Sequence, residues 1–178
     1  MTDKLRPERV TQNRVIKLFQ SLGYEYLGDW HQRENNKPIE YEYLKKFLER
    51  QGYSSAQIDA VFLEIEKTIP VIGNSLYDAN LKFYKKLRFG VQVKTTIQGL
   101  NETVHLVDWE HPENNDFAIA EEVTLTGGSD IRRPDLVLYL NGIAISVIEL
   151  KRTSVSSGDG IRQLISNQNS NPYFFVAS

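Results

Sequence analysis

The chain has 178 residues, 40% apolar and 25% charged, which suffices for one domain with a buried core and a soluble surface. Lys and Arg number 21 against 23 Asp and Glu, a formal net charge of −2, so any contact with nucleic acid has to come from a local basic patch. With no cysteine, disulfides, zinc fingers, iron–sulfur clusters and thiol nucleophiles are excluded; with no bilayer-length apolar run and a polar stretch over Met1–Arg9, the expectation is a cytoplasmic protein without membrane contact.

Pro7 suits a first helical turn, where its missing N–H is not needed. Val15, Leu18, Phe19 and Leu22 follow at helical spacing, and Gly23 ends the run, so the spacing predicts a helix over 7–22. Residues 24–38 read as irregular. A second helix is predicted from Tyr41 to Gln51, burying Leu44, Phe47 and Leu48, with Gly52 as its stop. Ser54 and Gln57 have capping-box spacing, and Ile58, Val61, Phe62, Ile65 and Ile69 form an apolar stripe that ends at Pro70. A fourth helix is predicted over 77–89. Its Lys82, Lys85, Lys86 and Arg88 read first as a solvated helix face and second as a phosphate-contacting surface.

From Val91 the period changes to two. Val91, Val93 and Thr95 alternate with polar residues, as do Val104 and Leu106, and Phe117–Leu125 is a further strand. Residues 127–130 form a turn or loop. Asp135–Leu140 and Ile143–Leu150 then flank Asn141-Gly142, a strong hairpin signal. Both runs are apolar on both faces, which predicts a hairpin central in a sheet covered on each side. A short helix over 158–168, with Ile161, Leu164 and Ile165 apolar, and a strand over 173–176 complete the chain. There is no internal repeat and no linker. Residues 1–178 read as one domain of the α/β (α+β) class, mainly helical over 1–90 and sheet-rich over 91–178.

Several sites are absent from the sequence. There is no Gly-x-x-x-x-Gly-Lys-Ser/Thr and no His-Glu-x-x-His, and His31, His105 and His111 are scattered. What stands out is Arg132-Arg133-Pro134-Asp135, followed by Glu149-Leu150-Lys151 on the partner strand. Glu149 and Lys151 are two apart and share a face, and Asp135 begins the other strand at the same end of the hairpin. Two carboxylates and a lysine there suit Mg²⁺ and phosphodiester hydrolysis. Oxygen ligands hold a hard cation, the cation polarises the phosphate and lowers the pKa of a bound water, and the lysine can orient that water or stabilise charge on the transition state. The plain alternative is a surface ion pair that contributes little. Against it, acids and bases end two otherwise apolar strands, where burying them without purpose costs stability.

At these residues the sequence resembles the PD-(D/E)xK nuclease superfamily. More narrowly, the run Arg132-Arg-Pro-Asp135-Leu-Val-Leu-Tyr-Leu-Asn-Gly-Ile-Ala-Ile-Ser-Val-Ile-Glu149-Leu-Lys151 is similar to the N-terminal nuclease domain of the R subunit of type I restriction–modification enzymes. Leu22–Trp30, Asn114–Phe117, Glu121–Val123 and Gly160–Gln163 extend the likeness over the whole chain. The resemblance implies a restriction-endonuclease-like core, a mixed central sheet flanked by helices, with an N-terminal helical part. It also implies that Asp135 and Glu149 bind Mg²⁺, or Mn²⁺ in its place, and that Lys151 is the catalytic lysine. Such domains precede ATP-hydrolysing motor domains, so ATP belongs to a part of the protein not in this chain, which is expected to be a fragment of a longer one. The implied partners are double-stranded DNA and the methyltransferase and specificity subunits of the same complex.

Related nucleases carry Gln-x-x-x-Tyr on the helix after ExK. Gln163 fits the glutamine, but position 167 is Asn, leaving Gln168 as a further DNA-facing candidate beside Arg132, Arg133 and Arg152. An additional upstream metal-binding glutamate is common in the superfamily, with Glu8, Glu121 and Glu122 as open candidates. Two other readings stand beside the nuclease subunit: a repair or junction nuclease of the same superfamily, and a non-catalytic docking module.

The hairpin poses a geometric condition. Opposed residues of an antiparallel pair share a face. A plain two-residue Asn141-Gly142 turn places Asp135 opposite Ile148, and the two acids then lie on opposite faces, unable to share a metal. The nuclease reading therefore requires a change of parity: a bulged or odd-length turn, such as a three-residue loop over 140–142 that sets Asp135 opposite Val147, or a bulge near Asp135.

Overall fold

The computed structural model describes residues 7–68, 76–96, 99–125, 131–150 and 157–170. The chain opens on α1 (Pro7–Ser21), which stops where Gly23 takes a left-handed φ of 93°. It then enters β1 (Glu25–Asp29), inside the stretch that reads as irregular from sequence. β1 is a largely exposed edge strand with Gly28 at φ 99°, so it carries no clear alternation of apolar and polar residues.

β1 pairs in parallel with β4 (Phe117–Glu121), β4 antiparallel with β5 (Leu136–Leu140), and β5 antiparallel with β6 (Ile143–Ile148). The result is a mixed sheet of order β1-β4-β5-β6. β4 ends at Glu121 rather than running to Leu125, because Glu122 sits at φ 52° and breaks the extended backbone. Every residue of β5 is buried, whereas Ile145 to Ile148 of β6 are half-buried. Of the two hairpin strands, only β5 is therefore central, and β6 is the edge strand of the sheet among the described residues. The outer edge of β6 is partly capped by the segment around Ile39, which bridges Ile143 and accepts the Ala144 N–H at the Pro38 carbonyl.

Period-two alternation sends the even residues of β5 to one face and the odd ones to the other. Leu136 and Leu138 pack with Ile119 against Ile16 of α1. Val137 and Tyr139 pack with Trp30, Ala118, Ala120 and Val123. The buried stripe of α1 is Ile16 flanked by half-buried Val15 and Phe19, while Leu18 and Leu22 are exposed, so the helix is rotated from the phase its apolar residues suggest.

Three of the remaining helices form a second body. α2 (Tyr41–Arg50), α3 (Ser55–Glu66) and α4 (Leu76–Phe89) pack with the short hairpin of β2 (Val91–Val93) and β3 (Glu102–Val104). The Ser54–Gln57 capping box forms with both of its reciprocal bonds. Leu44, Phe47, Leu48, Ile58, Val61, Ile65 and Phe83 make this core, and Ile143 joins it from the sheet. The body thus sits at the Asn141-Gly142 end of the hairpin, leaving Asp135 and Glu149 at the opposite end. α5 (Ser157–Ser170) flanks β6. The predicted turn over 127–130, Ile69, Pro70 and the strand over 173–176 lie outside the described residues. Among the described residues, no helix is long and apolar enough to cross a membrane.

Candidate active site

The hairpin satisfies the parity condition by a route of its own. Asn141 and Gly142 have φ of 52° and 81°, the two positive values of a type I′ turn, so the connection is the two-residue form that Asn-Gly favours. Near the turn, partner numbers add to 283 (Leu140 with Ile143, Tyr139 with Ala144). Farther along they add to 284 (Leu138 with Ser146, Val137 with Val147, Leu136 with Ile148). Ile145 is the extra residue, a bulge in the middle of β6 rather than at the turn. One step beyond the last pair, this register sets Asp135 opposite Glu149, on one face of the hairpin.

Hydrogen bonds hold both carboxylates. The Leu150 N–H donates to Asp135 Oδ2 at 2.5 Å, which closes the end of the hairpin. Gln163, reaching over from α5, donates through Nε2 to Glu149 Oε2 at 2.9 Å. Gln163, expected from sequence as a DNA-facing residue, thus meets Glu149. Gln168, on the same helix, lines a cleft of about 330 Å³ with Ile145, Ser146 and Val147 of β6. Lys151, Arg152 and the side chain of Glu8 lie outside the described residues.

The other open acids are engaged within the protein. Glu121, only 2% exposed, ends β4 on the α1 side of the sheet. It receives two guanidinium bonds from Arg9, the hydroxyl of Tyr26 and, at 2.9 Å, the amide of Gln12. Burial and then the bond to Glu121 hold the Tyr26 phenol well above its usual range, and the same carboxylate raises the Arg9 guanidinium. Glu122 pairs with Arg133 Nε at 2.9 Å, and Arg133 also meets the ring nitrogens of His31. Arg132 bridges Leu125 through its backbone, so both arginines flank the start of β5.

Gln12, Arg9 and Tyr26 were not legible as site residues. The available signal was Gln12 itself, a polar residue four before Ile16 on the buried stripe of α1. The basic cluster of α4 belongs to the helical body. There Lys86 pairs with Glu64 at 3.7 Å and Arg88 lies over the Trp109 ring at 5.1 Å.

Chemically, the end of the hairpin offers two carboxylates on one face, both braced by N–H donors, with Arg132 and Arg133 just before the start of β5. Among the described residues, no group of three or more His, Asp or Glu side chains is placed to hold a metal. A cation here would rest on two protein carboxylates and complete its shell from water or substrate oxygen, a pattern typical of Mg²⁺.

Comparison with known proteins finds a likeness over nearly the whole chain. A family model described as the type I restriction enzyme R protein N terminus matches residues 4–176. The type I restriction enzyme HindI endonuclease subunit of Haemophilus influenzae is 29% identical over 166 residues, which are 85% of this chain and 16% of that protein. A protein of Methanocaldococcus jannaschii designated the type I restriction enzyme MjaIXP endonuclease subunit is 27% identical over 162 residues, 83% of this chain and 15% of its own length. The chain thus spans less than a fifth of either relative.

Proposed function

The chain belongs to the family of type I restriction enzyme R protein N termini, and from that premise we propose that it is the Mg²⁺-dependent endonuclease domain of such a subunit, hydrolysing phosphodiester bonds of double-stranded DNA. The observation that carries this reading is the Ile145 bulge, which sets Asp135 opposite Glu149 on one face. Without it the hairpin could not bring two acids to one cation.

The residues present fit a hard divalent cation, because both candidate ligands are carboxylates and each is oriented by an N–H donor. Asp135 and Glu149 would hold Mg²⁺, and Mn²⁺ would suit the same oxygens. When bound, the cation supplies Lewis acidity toward the scissile phosphate. Gln163 and the Leu150 N–H keep the carboxylates in position. Lys151, two residues beyond Glu149 in the sequence, would be the group to stabilise the negative charge that grows on the phosphate. Arg132, Arg133, Arg152 and Gln168 supply backbone contacts that hold the duplex without reading its sequence. Target recognition and modification then fall to the specificity and methyltransferase subunits, and ATP hydrolysis to motor domains elsewhere in the protein.

The test is cleavage by the assembled complex carrying Asp135→Ala, Glu149→Ala or Lys151→Ala in the full-length subunit. Each should lower cleavage by at least about a thousandfold, in line with the several kcal/mol supplied by charge stabilisation at a phosphoryl centre. ATP hydrolysis should persist. Wild-type cleavage by all three variants would sink the assignment. Loss of ATP hydrolysis together with cleavage would point instead to a docking role.

A further inference from the structure

Gln12 sits on α1, distant in sequence from both acids, yet it is 4% exposed and its amide nitrogen faces the Asp135 end of the sheet. Of the two Nε2 hydrogens, one serves Glu121 Oε2 at 2.9 Å and the other is shared between Glu122 Oε1 and the backbone carbonyl of Asp135, both at 3.3 Å. That carbonyl also accepts the Glu122 N–H at 2.9 Å. Asp135 lies just outside the ladder, since β5 begins at Leu136. The peptide that sets the direction of its side chain is therefore held by Gln12 and Glu122.

Cohesion between α1 and the sheet has other sources. Arg9 pairs with Glu121, and Ile16 packs on Ile119, Leu136 and Leu138. An apolar residue at 12 would keep that packing but leave the carbonyl one donor short, whereas an acid would face Glu121 and Glu122. An amide, a donor without charge, is what the position demands.

We propose that Gln12 is a positioning residue: by holding the Asp135 carbonyl and the Glu121–Glu122 corner together, it sets the geometry in which Asp135 meets Glu149 and a divalent cation. This inference rests on the nuclease reading above. Residues of this kind, acting one bond behind a ligand, change metal affinity by about 10- to 100-fold.

The experiment uses the full-length subunit with Gln12→Leu, which removes the donor at similar volume, and Gln12→Asn, which keeps the amide but withdraws it by one methylene. Mn²⁺ binding is followed by electron paramagnetic resonance without DNA or nucleotide, with Asp135→Ala as the blank, and cleavage by the assembled complex is titrated with Mg²⁺. Gln12→Leu should weaken Mn²⁺ binding about 10- to 100-fold. It should shift the Mg²⁺ dependence of cleavage by a similar factor, recover at saturating metal and leave ATP hydrolysis unchanged. Gln12→Asn should shift both in the same direction by less, and it carries the test if the leucine variant does not fold. Wild-type Mn²⁺ binding in both variants overturns the proposal, as does a loss of cleavage that no metal concentration restores. If Asp135→Ala itself keeps Mn²⁺ binding and cleavage, the nuclease reading fails independently of Gln12.

Discussion

Replacing Asn141 tests whether the hairpin is anchored as the structure describes. Asn141 is fully buried. Its amide donates to the Leu106 carbonyl and to Asn115 Oδ1, both at 2.9 Å, and its Oδ1 accepts the Asp116 N–H at 2.7 Å. Alanine removes all three bonds. Asn115 Oδ1 keeps the Asp108 N–H as a donor, so two groups lose this partner, the buried Leu106 carbonyl and the half-buried Asp116 N–H. At about 1–3 kcal/mol each, that is roughly 2–6 kcal/mol. Holding a Cβ at φ 52° without a side-chain amide to favour it adds about 1 kcal/mol. Asn141→Ala should thus cost about 3–7 kcal/mol, a large part of the roughly 5–15 kcal/mol available to a domain. Asn141→Gly loses the same bonds without the left-handed strain. Part of that relief is offset by its greater chain entropy, so it should be milder by about 0.5–1 kcal/mol. Urea titration followed by fluorescence of buried Trp30 measures both. A loss below about 1.5 kcal/mol for alanine, less than the two groups deprived of this partner require, would refute the reasoning. So would a glycine variant less stable than the alanine one.

Deleting Ile145 removes the bulge and returns the outer half of β6 to the parity of the turn. Asp135 and Glu149 then face opposite sides, and cleavage by the assembled complex should vanish while the chain still folds by circular dichroism. Cleavage at the wild-type rate would show that the bulge does not set the site. Tyr26 offers a pH test. Burial, and then its bond to Glu121, raise its folded pKa above the unfolded value of 10.0. The stability it contributes is therefore complete below about pH 10 and is lost as pH rises toward the folded value. The advantage of wild type over Tyr26→Phe in urea midpoints should be constant from pH 8 to 9.5 and shrink between pH 10 and 11. A gap that widens in that interval would contradict the assignment.

Local rules were readable directly. The Ser54–Gln57 capping box, the helix stops at Gly23 and Gly52, and the hairpin at Asn141-Gly142 depend on neighbours in the chain, so the residues that specify them sit together, although the turn itself is the two-residue form and not the odd-length one that the acids alone suggested. The acids at the end of the hairpin were visible for the same reason, being tied to one supersecondary unit. The edge strand β1 was not visible, because parallel pairing with β4 is decided by residues about ninety positions away and leaves β1 mostly exposed. The phase of α1 was misjudged because Leu18 and Leu22 match Ile16 in hydropathy. Only the sheet beneath, with Ile119, Leu136 and Leu138, determines which stripe is covered. The buried Glu121, met by Arg9, Gln12 and Tyr26, is a tertiary feature in the same sense: a carboxylate can be buried only where donors from separate elements converge on it. The parity of the hairpin lies between these cases. Sequence shows that a bulge is needed for two acids to share a face. Its location at Ile145 is decided by packing, since that residue lies against both the helical body and the core under α1, and no residue next to it in the chain carries that information.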